Sequence, residues 1–78
     1  MKNQELAQKW REDNGYVGKA GVVVLKGVVV GGWVSKLRDP EHWEPGCIAV
    51  EEDGTMHKSI GGNFRDGAKI WRKFWRKI

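Results

Sequence analysis

The strongest constraint on the fold is a dense run of β-branched residues near the middle of the chain. Residues 22–25 read Val-Val-Val-Leu and residues 28–30 are three further valines, with Lys26 and Gly27 between the two runs. β-Branched side chains favour strands, and a two-residue break between such runs predicts a β-hairpin. Both faces of each predicted strand are apolar, which is typical of a central position in a sheet that is covered on both sides.

The flanking segments predict further small elements around this hairpin. A short helix is expected over residues 3–13, where apolar residues share one face and Asn14 and Gly15 provide a stop signal. A second hairpin is expected over residues 47–60, with its turn at Asp53 and Gly54. The two glycines at positions 31 and 32 predict a bulge or bend after the valine strands.

The last ten residues combine cations with large apolar side chains at a spacing of three and four. On a helix this spacing puts the two sets on opposite faces, so the pattern predicts a C-terminal amphipathic helix over about residues 66–78. A strand over residues 68–72 is the main competing interpretation, and a free basic arm is another. The expected fold class is α+β: a short N-terminal helix, a small curled antiparallel meander of about four strands and this terminal helix.

The length and the distribution of apolar residues bound the organisation and location of the chain. With 78 residues, a single domain over residues 1–78 is expected. The first residues are polar and charged, which is unlike a signal peptide, and no apolar run approaches the roughly 18 residues of a membrane span. The single cysteine, Cys47, allows no intrachain disulfide, so we expect a reducing, cytoplasmic location and no membrane partner.

The sequence offers no convincing motif for catalysis or metal binding. Cys47 begins an apolar strand and has only His42 and His57 near it in sequence, so a buried, unreactive thiol is the expected state. The histidine and cysteine spacings match no zinc motif. Residues 61–63, Gly-Gly-Asn, lack the Lys-Ser/Thr of a phosphate-binding loop, and a plain turn is favoured over an anion site. We therefore predict a non-enzymatic protein without a cofactor or a bound metal.

The net charge of +4 is distributed in opposed blocks. Residues 37–57 hold one cation and six anions, and residues 58–78 hold seven cations and one anion. The acidic block is a candidate surface for binding a protein partner, and its residues are Asp39, Glu41, Glu44, Glu51, Glu52 and Asp53. The basic end is a candidate nucleic-acid-binding segment, and its residues are Lys69, Arg72, Lys73, Trp75, Arg76 and Lys77. The alternative is that both blocks are ordinary solvated surface.

A pattern of turns and aromatic residues suggests a family. It consists of Trp33, Leu37-Arg38-Asp39-Pro40-Glu41-His42, Glu44-Pro45-Gly46-Cys47-Ile48-Ala49-Val50, Glu52-Asp53-Gly54, Gly61-Gly62-Asn63, Asp66-Gly67-Ala68 and Trp71. Over about residues 6–71 this pattern resembles small plasmid- and phage-borne antirestriction-type proteins. The resemblance implies a non-enzymatic counter-defence factor that inhibits a nuclease-based defence system, of restriction or CRISPR type, by binding one of its proteins. The basic end departs from the family pattern and argues against DNA mimicry by the whole protein.

Three binding hypotheses follow from these observations. The first is an inhibitor whose acidic block contacts a protein, expected to belong to a nucleic-acid-handling complex. The alternative is a small basic nucleic-acid-binding domain that uses the C-terminal cations and aromatics. The third is a homodimer whose exposed aromatic residues form the interface.

Overall fold

A computed structural model describes residues 2–76 as one helix, one 3₁₀ turn and a five-stranded sheet. The elements are the helix α1 (Asn3–Asn14), the strands β1 (Val22–Lys26) and β2 (Val29–Val34), the 3₁₀ turn Pro40–His42, and the strands β3 (Ile48–Glu51), β4 (Met56–Ile60) and β5 (Ile70–Trp75). The strand order is β2-β1-β3-β4-β5, and every pair of neighbours is antiparallel.

The valine strand β1 forms the centre of the core, as its apolar pattern predicts. Its first four residues, Val22 to Leu25, are at most 2 % exposed. Val23 and Leu25 belong to a cluster with Ala7 of α1, which defines the helix face of the sheet. Val22 and Val24 belong to a second cluster on the other side. That side, the loop face, is covered by the connection of residues 35–47, since Leu37 and Trp43 of this connection pack against the second cluster.

The helix α1 is short and depends on its contact with the sheet. It ends where Gly15 adopts a φ of 73° and donates its backbone N–H to the carbonyl of Arg11. Leu6 and Trp10 pack against the helix-face cluster. Twelve residues form a marginal helix in water, so burial of this apolar side stabilises it. Nowhere in residues 2–76 is there a helix with the length and hydropathy to span a membrane.

Both predicted hairpins are present, with small shifts of register. In the first, Lys26 pairs with Val29, so the turn lies at Gly27 and Val28, one residue later than predicted. The register shifts by one residue opposite Gly31, which confirms the predicted bulge. The second hairpin joins β3 to β4 and confirms the prediction for residues 47–60.

The predicted C-terminal helix is wrong, because residues 70–75 form the edge strand β5. The strand pairs with β4 from Ile60 and Ile70 to Met56 and Trp75, so its backbone groups find hydrogen-bond partners across the sheet. The predicted helix of about thirteen residues would be marginal in water by comparison. The competing strand interpretation is therefore the conformation adopted, extended to residue 75. Residues 77 and 78 lie outside the described part of the chain.

Candidate nucleic-acid interface on β4 and β5

The pairing of β4 with β5 decides which side chains share a face. Ser59 pairs with Trp71, and Trp71 packs against the loop-face cluster. Successive strand residues alternate between faces, so Arg72 lies on the helix face, directly opposite Lys58. Lys73, which pairs with His57, lies on the loop face. The cations of β5 are thus divided between two faces, whereas the helical prediction put them on one.

Apart from the buried Met56 of β4, the helix face is left open over β4 and β5. The helix packs on β1, β2 and β3, which are the strands farther from the basic edge of the sheet. We call the uncovered part the open face, and it consists of Lys58, Ile60, Ile70, Arg72 and Trp75. Trp75 shares this face with Arg72 because the register shift opposite Met56 and His57 adds one residue to β5. Ile70 is 50 % exposed and Trp75 is 43 % exposed. The open face therefore combines two cations with apolar and aromatic surface.

No carboxylate of residues 2–76 forms an ion pair with the cations of the open face. Within residues 2–76 the ion pairs join Lys9 to Asp13, Lys26 to Glu44, Arg38 to Asp39 and His57 to Glu51. None of them uses Lys58 or Arg72, nor the neighbouring Lys69, Lys73 and Arg76. Like charges directly opposite each other on a sheet are destabilising. The Lys58 and Arg72 pair therefore carries an electrostatic cost that a bound anion would relieve.

Only some residues of the predicted basic segment lie on the open face, and the others lie outside it. Arg72 and Trp75 lie on it, Lys73 lies on the opposite face, and Lys69 and Arg76 flank β5 at its two ends. The prediction for Lys77 falls outside the described residues. Lys58 was missed, because it belongs to β4 and comes beside Arg72 only through strand pairing. A prediction of strand register would have been needed to find it.

The predicted acidic block does not form one surface. Asp39, Glu41 and Glu44 lie on the connection before β3, whereas residues 51–53 lie at and after the end of β3. Several of these carboxylates are engaged locally: Asp39 with Arg38 at 3.5 Å, Glu44 with Lys26 at 3.0 Å, Glu51 with His57 at 2.7 Å, and Asp53 with the backbone N–H of Thr55 at 2.8 Å. The acidic residues are therefore close together in sequence but are divided between separate local contacts in the fold.

Glu52 is the most clearly structural member of the acidic block. Its carboxylate accepts hydrogen bonds from the backbone N–H groups of Gly18 at 2.5 Å and Ala20 at 2.9 Å. These two donors lower the pKa of the Glu52 carboxyl below its usual value, and the guanidinium of Arg11 lowers it further against the opposing effect of desolvation. Glu52 thereby anchors the connection between α1 and β1.

A cleft of about 420 Å³ lies next to the open face, between α1 and the β3–β4 turn. Trp75 lines it together with the amide side chains of Gln4 and Gln8. Its remaining charged lining is mostly acidic, from Glu5, Glu51, Glu52 and Asp53, with Lys2 and the buried Arg11 as the cations. Trp75 therefore lies between the cations of the open face, Lys58 and Arg72, and a cleft that is rich in carboxylates.

Cys47 and His57, which were considered for catalysis or metal binding, are buried and make structural contacts. Cys47 is 1 % exposed, and burial together with the nearby Glu44 carboxylate raises the pKa of its thiol, which agrees with the predicted buried state. His57 is also buried and contacts Glu51. Across the described residues, no three side chains of His, Cys, Asp or Glu come together in a way that could hold a metal ion.

No protein-family model, no curated protein and no solved structure matches this chain. The resemblance to antirestriction-type proteins therefore stays a prediction, as do the non-enzymatic character, the protein partner and the homodimer. Several residues that carry the resemblance have structural roles. Trp71 donates its indole N–H to the carbonyl of Arg38 at 3.3 Å, and the backbone N–H of Ala68 is 2.8 Å from the carbonyl of Trp43. These contacts hold β5 and the loop-face connection together.

Proposed function

We propose that this protein is a non-enzymatic nucleic-acid-binding protein that uses the open face of β4 and β5. The observation that carries the proposal is the cross-strand pair of Lys58 and Arg72, which has no carboxylate partner within residues 2–76. Phosphate groups supply the missing negative charge, and their neutralisation releases counterions from the nucleic acid. A cytoplasmic location, where nucleic acid is accessible, belongs to the same proposal.

The surroundings of this pair support a polyanion as the partner. Residues 67–76 contain four cations and no anion, so the electrostatic attraction extends along the whole edge of the sheet. Trp75 adds an exposed aromatic ring on the same face as Arg72. Cations interleaved with aromatic side chains are typical of proteins that contact both phosphates and bases.

The first test neutralises the cross-strand pair. The double variant K58Q/R72Q is expected to bind a labelled oligonucleotide at least about tenfold more weakly at low salt. The slope of log affinity against log salt is also expected to fall by about two, because two phosphate contacts are lost. Fluorescence anisotropy over a series of salt concentrations measures both quantities.

The control for this test removes the same charge elsewhere. The double variant K9Q/K36Q lowers the net charge by two on surfaces away from β4 and β5, since Lys9 is on α1 and Lys36 is on the loop-face connection. We expect it to retain most of the affinity and the salt slope. Equal losses in both double variants, or wild-type binding that does not respond to salt, would contradict the proposal.

A second candidate function is the counter-defence role that the resemblance implies, through inhibition of a restriction or CRISPR system by binding one of its proteins. The observation that favours it is the cleft, where Glu5 of α1 and Asp53 of the β3–β4 turn provide carboxylates next to the Trp75 ring. A basic side chain of a partner protein is complementary to such a cleft, through its charge and through contact with the ring.

This second candidate is tested in cells that carry an active restriction or CRISPR system. Expression of the chain is expected to raise the plating efficiency of a targeted phage, and the variant E5Q/D53N is expected to lose this effect. The variant E12Q/D13N changes the same number of carboxylates on the part of α1 that does not line the cleft, and it serves as the control. If the wild-type chain leaves plating unchanged in both kinds of cell, this candidate is ruled out.

A further inference from the structure

We propose that the open face binds single-stranded nucleic acid in preference to duplex, with one base stacked on Trp75 inside the cleft and the adjoining phosphates on Arg72 and Lys58. This inference rests on the proposed function and specifies the class of nucleic acid. It follows from the distribution of charge around Trp75, from the shape of the site and from the conformation of the ring.

The charges around Trp75 separate the two parts of a nucleotide. On the open face, Arg72 and Lys58 attract phosphate. In the cleft, the carboxylates of Glu5 and Asp53 repel phosphate, but the neutral base can enter. A strand bound with its backbone on β4 and β5 and a base in the cleft therefore meets favourable groups at both ends of the nucleotide.

The cleft has the size and the polar groups that a base requires. Its volume of about 420 Å³ lies within the range of pockets that hold small organic molecules. Gln4 lines it and offers an amide donor and acceptor, while Gln8, which also lines it, already donates its amide N–H to Glu12 at 3.2 Å. Carboxylates in its lining can accept hydrogen bonds from exocyclic amino groups of bases. These groups can contact a base that has left its neighbours, whereas a paired base inside a duplex cannot reach them.

Trp75 has neighbours on one side and is accessible on the other. A Cβ placed on Gly54 would lie 3.5 Å from the Trp75 ring and 3.8 Å from the Gln4 side chain, so the ring lies beside Gly54 and Gln4 with room for one more carbon. The residue keeps 43 % of its surface exposed. An exposed aromatic ring is a surface on which a base can stack.

The spacing along β5 suits simultaneous contact with a base and with phosphate. Arg72 and Trp75 pair with Lys58 and Met56, which are two residues apart on β4, and this corresponds to about 7 Å along a strand. Reading duplex DNA normally requires a helix or a β-ribbon that enters a groove. Here the apolar side of α1 packs on the sheet, and β4 and β5 are continuous with a five-stranded sheet instead of forming a free ribbon. This geometry favours an unpaired strand.

The test compares a mixed-sequence single strand of about fifteen nucleotides with the duplex of the same sequence, by fluorescence anisotropy at two salt concentrations. The wild-type protein is expected to bind the single strand at least about tenfold more tightly than the duplex. The variant W75L is expected to lose about tenfold in affinity for the single strand with an unchanged salt slope, because stacking is lost and no cation is. The conservative variant W75F is expected to retain most of the affinity, because it keeps an aromatic ring.

A pair of neighbouring cations provides the matched control. The variant R72Q is expected to lower the salt slope by about one, whereas K73Q, one residue away on the loop face, is expected to leave it nearly unchanged. Equal affinity for both nucleic acids, with K58Q/R72Q weakening both alike, would overturn this inference and leave the proposed function intact. If W75L and W75F bind the single strand as the wild type does, the stacked base is also ruled out. Failure to bind either nucleic acid at low salt would reject both proposals.

Discussion

Replacement of Arg11 by methionine is expected to destabilise the protein by about 3 kcal/mol or more. The Arg11 side chain is only 1 % exposed, and its guanidinium donates hydrogen bonds to the carbonyls of Ala20 at 2.7 Å, Gly21 at 2.9 Å and Val50 at 3.2 Å. Methionine fills a similar volume but has no N–H group. The carbonyls of Gly21 and Val50 would therefore lose the guanidinium as a donor in or near the core, while that of Ala20 would keep the Trp33 indole N–H at 3.2 Å. Each lost hydrogen bond has a substantial cost.

The same residue joins three parts of the fold, which is why the effect should be global. Arg11 belongs to α1, Ala20 and Gly21 to the loop before β1, and Val50 to β3. Desolvation lowers the pKa of the guanidinium, although Glu52 partly opposes this effect. Replacing a buried charge by an apolar residue can be neutral when the partner charge is replaced as well. Here the partners are backbone carbonyls, which no substitution removes.

Urea denaturation followed by tryptophan fluorescence measures the change. The control is R38M, because Arg38 is exposed and its ion pair with Asp39 lies on the surface. Exposed pairs contribute at most about 1 kcal/mol, so a small shift of the midpoint is expected for the control. A similar shift in both variants would show that the three carbonyl contacts of Arg11 contribute little.

The second large effect is expected at Gly67, where alanine should destabilise the protein by about 3 kcal/mol. Gly67 has a φ of 85°, a conformation that L residues with a side chain rarely adopt. A Cβ at this position would also collide with the backbone carbonyl of Glu41. The new Cβ is fixed to the backbone of residue 67, and the group that it meets is the backbone of Glu41. Either the 3₁₀ turn or the chain that leads into β5 would therefore have to move.

Gly27 offers a control that separates strain from collision. Its φ is 63°, but a Cβ there would meet nothing within 4 Å. The variant G27A is therefore expected to cost only about 1 kcal/mol, from the backbone conformation alone. Thermal unfolding of the two variants measures the difference. If G27A and G67A shift the midpoint equally, the approach of Gly67 to Glu41 has no energetic consequence.

The local parts of the fold could be predicted from the sequence, because short-range patterns determine them. The valine runs around Gly27, the bulge at Gly31 and the end of α1 at Gly15 all follow from side-chain branching or from glycine conformations. Each of these signals lies within a few residues of the element that it predicts.

The C-terminal segment could not be predicted in the same way, because its conformation depends on a distant partner. The spacing of Trp71, Phe74 and Trp75 is compatible with a helix, and the alternation of Trp71 with Arg72 is equally compatible with a strand. The available edge of β4 decides between them, and that edge exists only after β3 and β4 have paired. Such tertiary context routinely overrides local propensity.

The candidate site was predicted only in part for a related reason. The pattern in sequence identified Arg72 and Trp75 but placed Lys73 on the same surface and omitted Lys58. Strand alternation separates Arg72 from Lys73, the register shift opposite Met56 and His57 returns Trp75 to the face of Arg72, and cross-strand pairing adds Lys58. For the acidic block, the run of residues 51–53 indicated a turn. Glu44 contacts Lys26 and Glu52 contacts the backbone of Ala20, so these carboxylates are held in separate places and not in one common patch.

The strand order also has a kinetic consequence for folding. Within residues 2–76, the pairs β1–β2, β3–β4 and β4–β5 each join strands that are neighbours in sequence, whereas β1–β3 joins residues as far apart as Val22 and Glu51. Closing the loop between β1 and β3 has an entropic cost that arises before the stabilising contacts of the ladder have formed. We expect the β1–β2 hairpin and the β3–β4–β5 meander to form locally and then to dock through the β1–β3 ladder. This docking is expected to be the rate-limiting step of folding. During synthesis, β5 is made after the other four strands.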